Sequence, residues 1–445
     1  MTTARQYMPW VDWGLEGGEA IYRNITMPMV HALQEIEHNG VLIDQDKLSF
    51  LDEQYRDKIA AAEQEFWNVA GSEVSYTSAQ QLQKFLYTDL QLPVVLTTKK
   101  GAPSTALPAL AKLKSEHPVV ETLYDLKKLV KIKKDFLGGW GKSRGLIQWV
   151  QDDGRIHTNY RVDGTESGRL STGDPNTQNI AKVEEIRSMF VPPPGMVFGE
   201  VDYSQLELNI AARLSGDEKM AMAIALGMHE QTAAFMFNVP VEKVTYDMRN
   251  KAKTINFLVL YGGGAYTLAF RLDITIEEAE KYLAAWFKAY KKVYQWIRKT
   301  QWEAQKRGYV DSVWMRRRHL PELKTPNRAD PQWKKRHSHL KRVSVNFPIQ
   351  SAGSDSLSMS TIKLLLYPDD ALLKMGVRFT MTLHDALFFE VPERHAVEAG
   401  ARVQEVMKRV PRFCLGSDWA LESDVKLGRY WGDNSVSHPG GKLAA

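Results

Sequence analysis

The sequence predicts an α+β protein, with a small central sheet assembled from distant parts of the chain and helical arms on either side. Three observations carry this expectation. Residues 22 to about 140 are mostly helical by pattern, with apolar spacing near 3.6 in Leu33 to Ile59 and again in Val119 to Leu137. Two β-rich runs, GMVFGEVDYS at 195–204 and VRFTMTLHDALFFEVP at 377–392, are far apart in the chain. Residues 218–345 between them are again helix-rich, so a sheet that joins the two runs frames a helical insertion.

In chain order, the helix around Val119 to Leu137 places Lys127, Lys131 and Lys134 at i, i+4 and i+7 on a basic face, while Leu123, Leu126 and Val130 serve another. TTKKGAPSTALP before it reads as an exposed loop, and Gly138-Gly139 after it as a break. From about Gln148 the pattern turns to short extended pieces and turns. Asp202 falls at the end of the first strand, and SQLELNIAARLSGD continues as a helix that stops near Gly216. DMRNKAKTINFLVLYGGG reads as a helix with Asp247 as N-cap and Gly262 to Gly264 as its stop. At about 100° per residue, Arg249, Lys253 and Phe257 share a narrow arc with Tyr261 at its edge. Leu383-His384-Asp385-Ala386 reads as a hairpin with the His-Asp pair at its turn.

At 445 residues the chain has room for several subdomains. No run approaches the about 20 apolar residues of a membrane helix, and the N-terminus lacks a basic region followed by an apolar one, so no secretory signal is expected. A single cysteine, Cys414, excludes an intrachain disulfide framework and a cysteine-built zinc site, and suits a reducing cytoplasm. The net charge of +5 says less than its distribution, which gathers Lys127 to Lys134, Arg316 to Arg318 and Lys334 to Arg342 into three basic clusters. These make nucleic acid a fair first guess. His337 and His339 have metal-like spacing but read as a solvated loop.

Asp202 and Asp385 both close strand-like runs, so adjacent strands would bring their carboxylates together. Taken singly, each Asp is more often a turn or capping residue, and the pairing needs outside support. Side by side they repel and need a cation, and Mg²⁺ is the natural partner. Two such ions about 3.5–4 Å apart activate an attacking hydroxyl and stabilise a leaving oxygen. The stripe from Arg249 to Tyr261 would grip a triphosphate and stack on a base; the competing reading is an amphipathic helix with two snorkelling cations.

DYSQLELNIAARLSGD from Asp202, RNKAKTINFLVLYG from Arg249 and LHDALFFE with His384 and Asp385 resemble motifs A, B and C of family A DNA polymerases, the bacterial DNA polymerase I type. HTNYRVDGTESGRLSTGDPNTQNI from His157, GYVDSVWMRRRHLPEL from Gly308 and RVSVNFPIQSAGSDSL from Arg342 follow the family's order, and the regions from Ile21 and His117 resemble the start of the polymerase domain and the thumb. The resemblance spans nearly the whole chain. It implies a right-hand polymerase fold with an antiparallel palm sheet, helical fingers and a helical thumb. The expected division is an N-terminal lead (1–20), a lead into the palm (21–43), thumb (44–140), palm with motif A (141–210), fingers with motif B (211–350), and palm with motif C and the C-terminal segment (351–445).

Its implied roles follow residue by residue. Asp202, Asp385 and the carbonyl of Tyr203 hold two Mg²⁺ ions, for which Mn²⁺ can substitute. Lys253 neutralises the triphosphate and protonates departing pyrophosphate, and Arg249 and His229 hold phosphates. Phe257 stacks on the incoming nucleotide, Glu207 with Phe257 crowds the 2′ position, Gln205 joins the nucleotide site, and Tyr261 guards the templating base. Arg169, Gln178, Asn179, Arg342, Asn346, Gln350 and His384 contact primer-template, the minor-groove acceptors being shared by all Watson–Crick pairs. Lys127, Lys131 and Lys134 meet phosphates from the thumb.

Ala386, Leu258 and Asn250 depart from the family pattern, where Glu, Gly and a second Arg are common; none is a metal ligand. Only about twenty residues precede the thumb-like region, so neither a 3′–5′ nor a 5′ exonuclease is expected. A natural minimal enzyme, a phage-encoded form with a separate exonuclease or other replisome partners, and a fragment all fit. The implied protein is a cytoplasmic monomer that acts on primer-template DNA and dNTPs in replication or repair. A single-subunit RNA polymerase is disfavoured by Glu207, and a catalytically dead DNA-binding paralogue by the retained Asp202, Asp385 and Lys253.

Overall fold

The computed structural model describes residues 4–141, 143–416, 419 and 421–436, so the outermost parts of the N-terminal lead and C-terminal segment lie outside the described residues. The elements that position the site are, in chain order, α1 (Met27–Asn39), α2 (Gln45–Ala70), α3 (Pro118–Phe136), β1 (Met196–Tyr203), α4 (Leu206–Ser215), α5 (Met228–Phe237), α6 (Tyr246–Leu260), α7 (Trp333–Leu366), β2 (Arg378–Leu383), β3 (Ala386–Pro392), α8 (Ala396–Leu415) and β4 (Ser423–Gly428).

The four strands form one antiparallel sheet in the order β4-β1-β3-β2. Period-two alternation divides it into two faces. Val197, Val201, Leu387, Phe389, Val391, Val425 and Leu427 join one core with residues of α7 and α8. Phe198 and Phe388 point the other way and pack with Phe190 and Trp431. Gly199 is required at the first face, because a Cβ there would fall 2.3 Å from the Phe389 ring. β4, at the edge, is a strand that the charged segment SDVKLG does not predict; its pairing with β1 over six residues creates it.

A buried ion pair fastens the sheet to the preceding chain. Arg155 donates through Nη1 and Nη2 to the two carboxylate oxygens of Glu390, both at 2.9 Å. Such a pair is costly to break from one side, because the remaining charge is left buried.

The basic clusters resolve differently from their sequence appearance. Lys133 is buried and paired with Asp52 inside the α2–α3 arm. Lys127 donates to the Thr105 carbonyl at 2.9 Å and Lys131 pairs with Asp135 at 2.7 Å, while Lys134 is exposed. In the second cluster Arg316 is bound to buried Asp355, Arg317 to Asp311 and Arg318 to Glu166, so all three charges are matched by carboxylates. Two of them lie on a short hairpin, Tyr309–Asp311 with Arg317–His319, inside the region expected to be helical. The third cluster, with His337 and His339, opens α7 and is no loop. Asp247 is not the cap of α6 either: Thr245 accepts from the Met248 N–H at 3.3 Å, and Asp247 pairs with Lys251 one turn on.

Candidate active site

Asp202 is the penultimate residue of β1, opposite Ala386 on β3 and Asp424 on β4. Asp385 sits in the β2–β3 turn, where its carbonyl accepts the Tyr203 N–H at 3.3 Å. Both carboxylates line one cavity of about 400 Å³ with Tyr203, Gln205, Glu207, Phe257, Tyr261, Arg169 and His384. Burial raises Asp202 to about 7, helped by repulsion from Asp385 and Glu200 and opposed by Lys426. Burial raises Asp385 to about 6, with Arg169 pulling it back and Glu207 adding to the rise. Two largely buried acids that share one cavity have the charge of a divalent-cation site. The Tyr203 hydroxyl is spent in the core, donating to the Met407 carbonyl at 2.8 Å, so any contribution to a metal is confined to its backbone oxygen.

The turns that present the acids are held in sparsely populated backbone. His384 has φ +55° and Gln205 φ +48°, the left-handed region that a non-glycine residue occupies only when its surroundings fix it. The fixing groups are visible at His384. Gln178 donates to the Thr382 carbonyl at 3.2 Å and accepts the His384 N–H at 3.1 Å. Tyr160 donates to the same carbonyl at 3.1 Å and accepts the Thr382 N–H at 3.0 Å. Gln178, expected on DNA, thus engages the turn through one N–H and the oxygen of its amide.

Glu207, buried in the first turn of α4, accepts from Arg169 at 2.7 Å and from the Tyr261 hydroxyl at 2.9 Å on one carboxylate oxygen. Gln350 lines a neighbouring cavity together with Tyr261, which caps α6.

Arg249, Lys253 and His229 do not line the carboxylate cavity. Arg249 and Lys253, toward the N-terminal part of α6, cluster instead with His229 of α5, and Phe257 is common to both places: it lines the cavity, and its ring centroid is 6.0 Å from that of His229. Asn256 fixes the His229 tautomer. Its Oδ1 accepts from Trp286 Nε1 at 2.7 Å and Thr232 Oγ1 at 3.2 Å, so its Nδ2 donates to His229 Nδ1 at 3.0 Å. The ring proton is therefore on Nε2. Burial, Arg249 and Lys253 lower His229 to about 4, keeping it neutral. Lys253 is exposed and has no ion-pair partner among the described residues, whereas Arg249 is paired with Glu230.

Two further spaces hold the remaining expected residues. Tyr261, Arg342, Asn346 and Gln350 line a cavity of about 340 Å³, where Asn346 Nδ2 is buried without a partner. Lys131, Lys134 and Asn179 line a groove of about 920 Å³ between α3 and residues 172–181; Lys127 is turned away from it to Thr105. Glu200, Lys182, Arg187 and Lys426 also line the carboxylate cavity. Glu200 was legible in principle, being two positions before Asp202 on one strand face; the three cations carry no local sequence signal.

The sequence profile of DNA polymerase family A matches residues 45–433. The chain belongs to DNA polymerase family A. It is 35% identical over 430 residues to the thermostable DNA polymerase I of Thermus aquaticus, covering 94% of this chain and 49% of that one. DNA polymerase I of Caldicellulosiruptor bescii is 32% identical over 424 residues, covering 94% of this chain and 48% of that one. The chain thus spans about half the length of the curated relatives it matches. The polymerase domain of Pol1 from M. smegmatis, solved in complex with DNA primer-template and dNTP, superposes with a TM-score of 0.84 at 31% identity, over 94% of this chain and 72% of that one. This family A member accordingly has the right-hand polymerase fold, with the sheet and its carboxylates in the palm. Family A polymerases are generally dependent on divalent metal, in keeping with the Asp202–Asp385 pair.

Proposed function

We propose that this chain is a DNA-directed DNA polymerase that extends a primer 3′ end with dNTPs on a template and releases pyrophosphate. The observation that carries the reading is the presence of Asp202 and Asp385 in the same cavity as the braced Glu207, Phe257 and Tyr261. Asp202, Asp385 and the Tyr203 backbone oxygen would hold two Mg²⁺ ions, or Mn²⁺ in their place. Bound there, the metal supplies activation of the primer hydroxyl and charge stabilisation at the leaving oxygen.

The side chains do the rest by positioning. Lys253, Arg249 and the Nε2–H of His229 donate to the triphosphate, and Lys253 supplies a proton to the departing pyrophosphate. Phe257 stacks on the incoming base, with Gln205 beside the nucleotide. Glu207 excludes a 2′-hydroxyl, and it can do so because two donors fix its carboxylate. Tyr261, Arg342, Asn346 and Gln350 serve the template side, Arg169 and His384 the primer terminus, and Lys131, Lys134 and Asn179 the duplex phosphates. Gln178 acts through the His384 turn. The thumb, palm and fingers divisions at 44–140, 141–210 with 351–445, and 211–350 go with this assignment, as does a cytoplasmic working place.

Primer extension on four templates, each calling for a different first nucleotide, tests the reading. Template-dictated addition of the matching dNTP, dependent on Mg²⁺ or Mn²⁺, is expected. Addition without template, without divalent metal, or equally from rNTPs would refute it.

A further inference from the structure

Glu230 opens α5 and carries one job that the polymerase reading leaves unassigned. Its Oε1 accepts from Nε of Arg249, and no other hydrogen bond engages that guanidinium among the described residues. Both Nη groups of Arg249 are therefore free. Its Oε2 lies near Gly227, 3.1 Å from where a Cβ would stand, in the first turn of α5, where a negative charge is favoured. Gly227 has φ +100° and is bare of a side chain that would push Glu230 away.

Arg249 and Glu230 are 38% and 36% exposed as side chains, so the pair contributes little to stability. Its effect is on orientation. An unheld arginine samples many rotamers and loses that freedom when it takes up an anion, whereas a guanidinium already fixed through one edge does not. The carboxylate and a phosphate use different edges of the guanidinium, so neither has to displace the other.

We infer that Glu230 is a positioning residue for the nucleotide triphosphate: it pre-orients Arg249 through Nε, leaving Nη1 and Nη2 for phosphate oxygens. The inference rests on the assignment of Arg249 to the triphosphate. The opposite role, a carboxylate that competes with the nucleotide for Arg249, would give the opposite sign in the same measurement.

The test is dTTP affinity for the enzyme bound to a dideoxy-terminated primer-template with a templating adenine, together with kcat and KM for dTTP on an extendable primer. Glu230→Ala should weaken dTTP binding and raise KM roughly 3–10-fold, with kcat changed less than about twofold. Glu230→Gln keeps an acceptor for Nε and should recover most of the loss. In an Arg249→Ala background, Glu230→Ala should add nothing. Tighter or unchanged dTTP binding in Glu230→Ala, or an equal loss in the Arg249→Ala background, overturns the inference while leaving Arg249 a phosphate ligand. Unchanged dTTP affinity in Arg249→Ala alone overturns the ligand assignment, and the inference with it.

Discussion

The Glu207 carboxylate accepts the Tyr261 hydroxyl at 2.9 Å, which joins the first turn of α4 to the end of α6 across the carboxylate cavity. Burial and the neighbouring Glu207 raise Tyr261 to about 12, so the phenol keeps its proton and remains a donor. Glu207 is thereby held as a wall instead of a mobile side chain. Glu207→Ala should reduce the preference for dCTP over rCTP, measured as a ratio of kcat/KM, by roughly 10–100-fold. Tyr261→Phe, which leaves Arg169 as the remaining donor to Glu207, should give a smaller change in the same direction. An undiminished ratio in Glu207→Ala removes the steric role.

Gln178 separates a DNA contact from a support for the turn. If its amide serves His384 and Thr382, Gln178→Ala should lower the single-turnover extension rate about 10-fold while primer-template Kd stays within about twofold. A Kd that rises with the rate unchanged would return Gln178 to the DNA surface.

The fold class and the carboxylate pair were legible because they rest on patterns that local chemistry enforces. GMVFGEVDYS and VRFTMTLHDALFFEVP are largely apolar runs of strand length that form strands buried along nearly their whole length, with Asp202 near the end of the first and Asp385 in the turn between the other two. What could not be read depends on partners remote in the chain. Lys133 looks like its neighbouring lysines until Asp52 is seen beside it, and Arg316 like a phosphate ligand until Asp355 is. Likewise, nothing within MHEQTA says that Glu230 will meet Arg249, or that Asn256 will set the proton on His229. Thr245 took the cap that Asp247 was expected to fill because both residue types cap well, and spacing alone does not choose between them.

The thumb lysines should divide in their salt dependence. Lys131→Ala with Lys134→Ala should reduce the magnitude of the slope of log Kd for primer-template against log salt by up to about 2, close to one counterion for each phosphate contact. Lys127→Ala should leave the slope unchanged, since its ammonium is engaged with the Thr105 carbonyl and burial lowers its pKa. An equal slope change from Lys127→Ala would place that residue on the duplex as well.

His229 ties stability to pH. Its folded value of about 4 lies below the ordinary 6.5, so below pH 6.5 the unfolded chain takes up the proton first. This contribution is intact above about pH 6.5 and is lost as pH falls toward 4. His229→Gln should therefore flatten the fall in the urea midpoint between pH 6.5 and 4.5, by an amount worth roughly 1–2 kcal/mol relative to wild type. Parallel curves for the two proteins would mean that His229 is protonated freely in the folded state.

Everything in the proposed chemistry depends on Asp202 and Asp385 acting together at the end of β1 and in the β2–β3 turn. Single-turnover extension of a primer by Asp202→Asn and Asp385→Asn, with Mg²⁺ and the correct dNTP, should fall at least about 10³-fold for each variant. Primer-template Kd, measured on the same preparations, should stay within a few-fold of wild type. Extension near the wild-type rate by either variant, with its DNA binding intact, would show that the carboxylate pair is not where the bond is made.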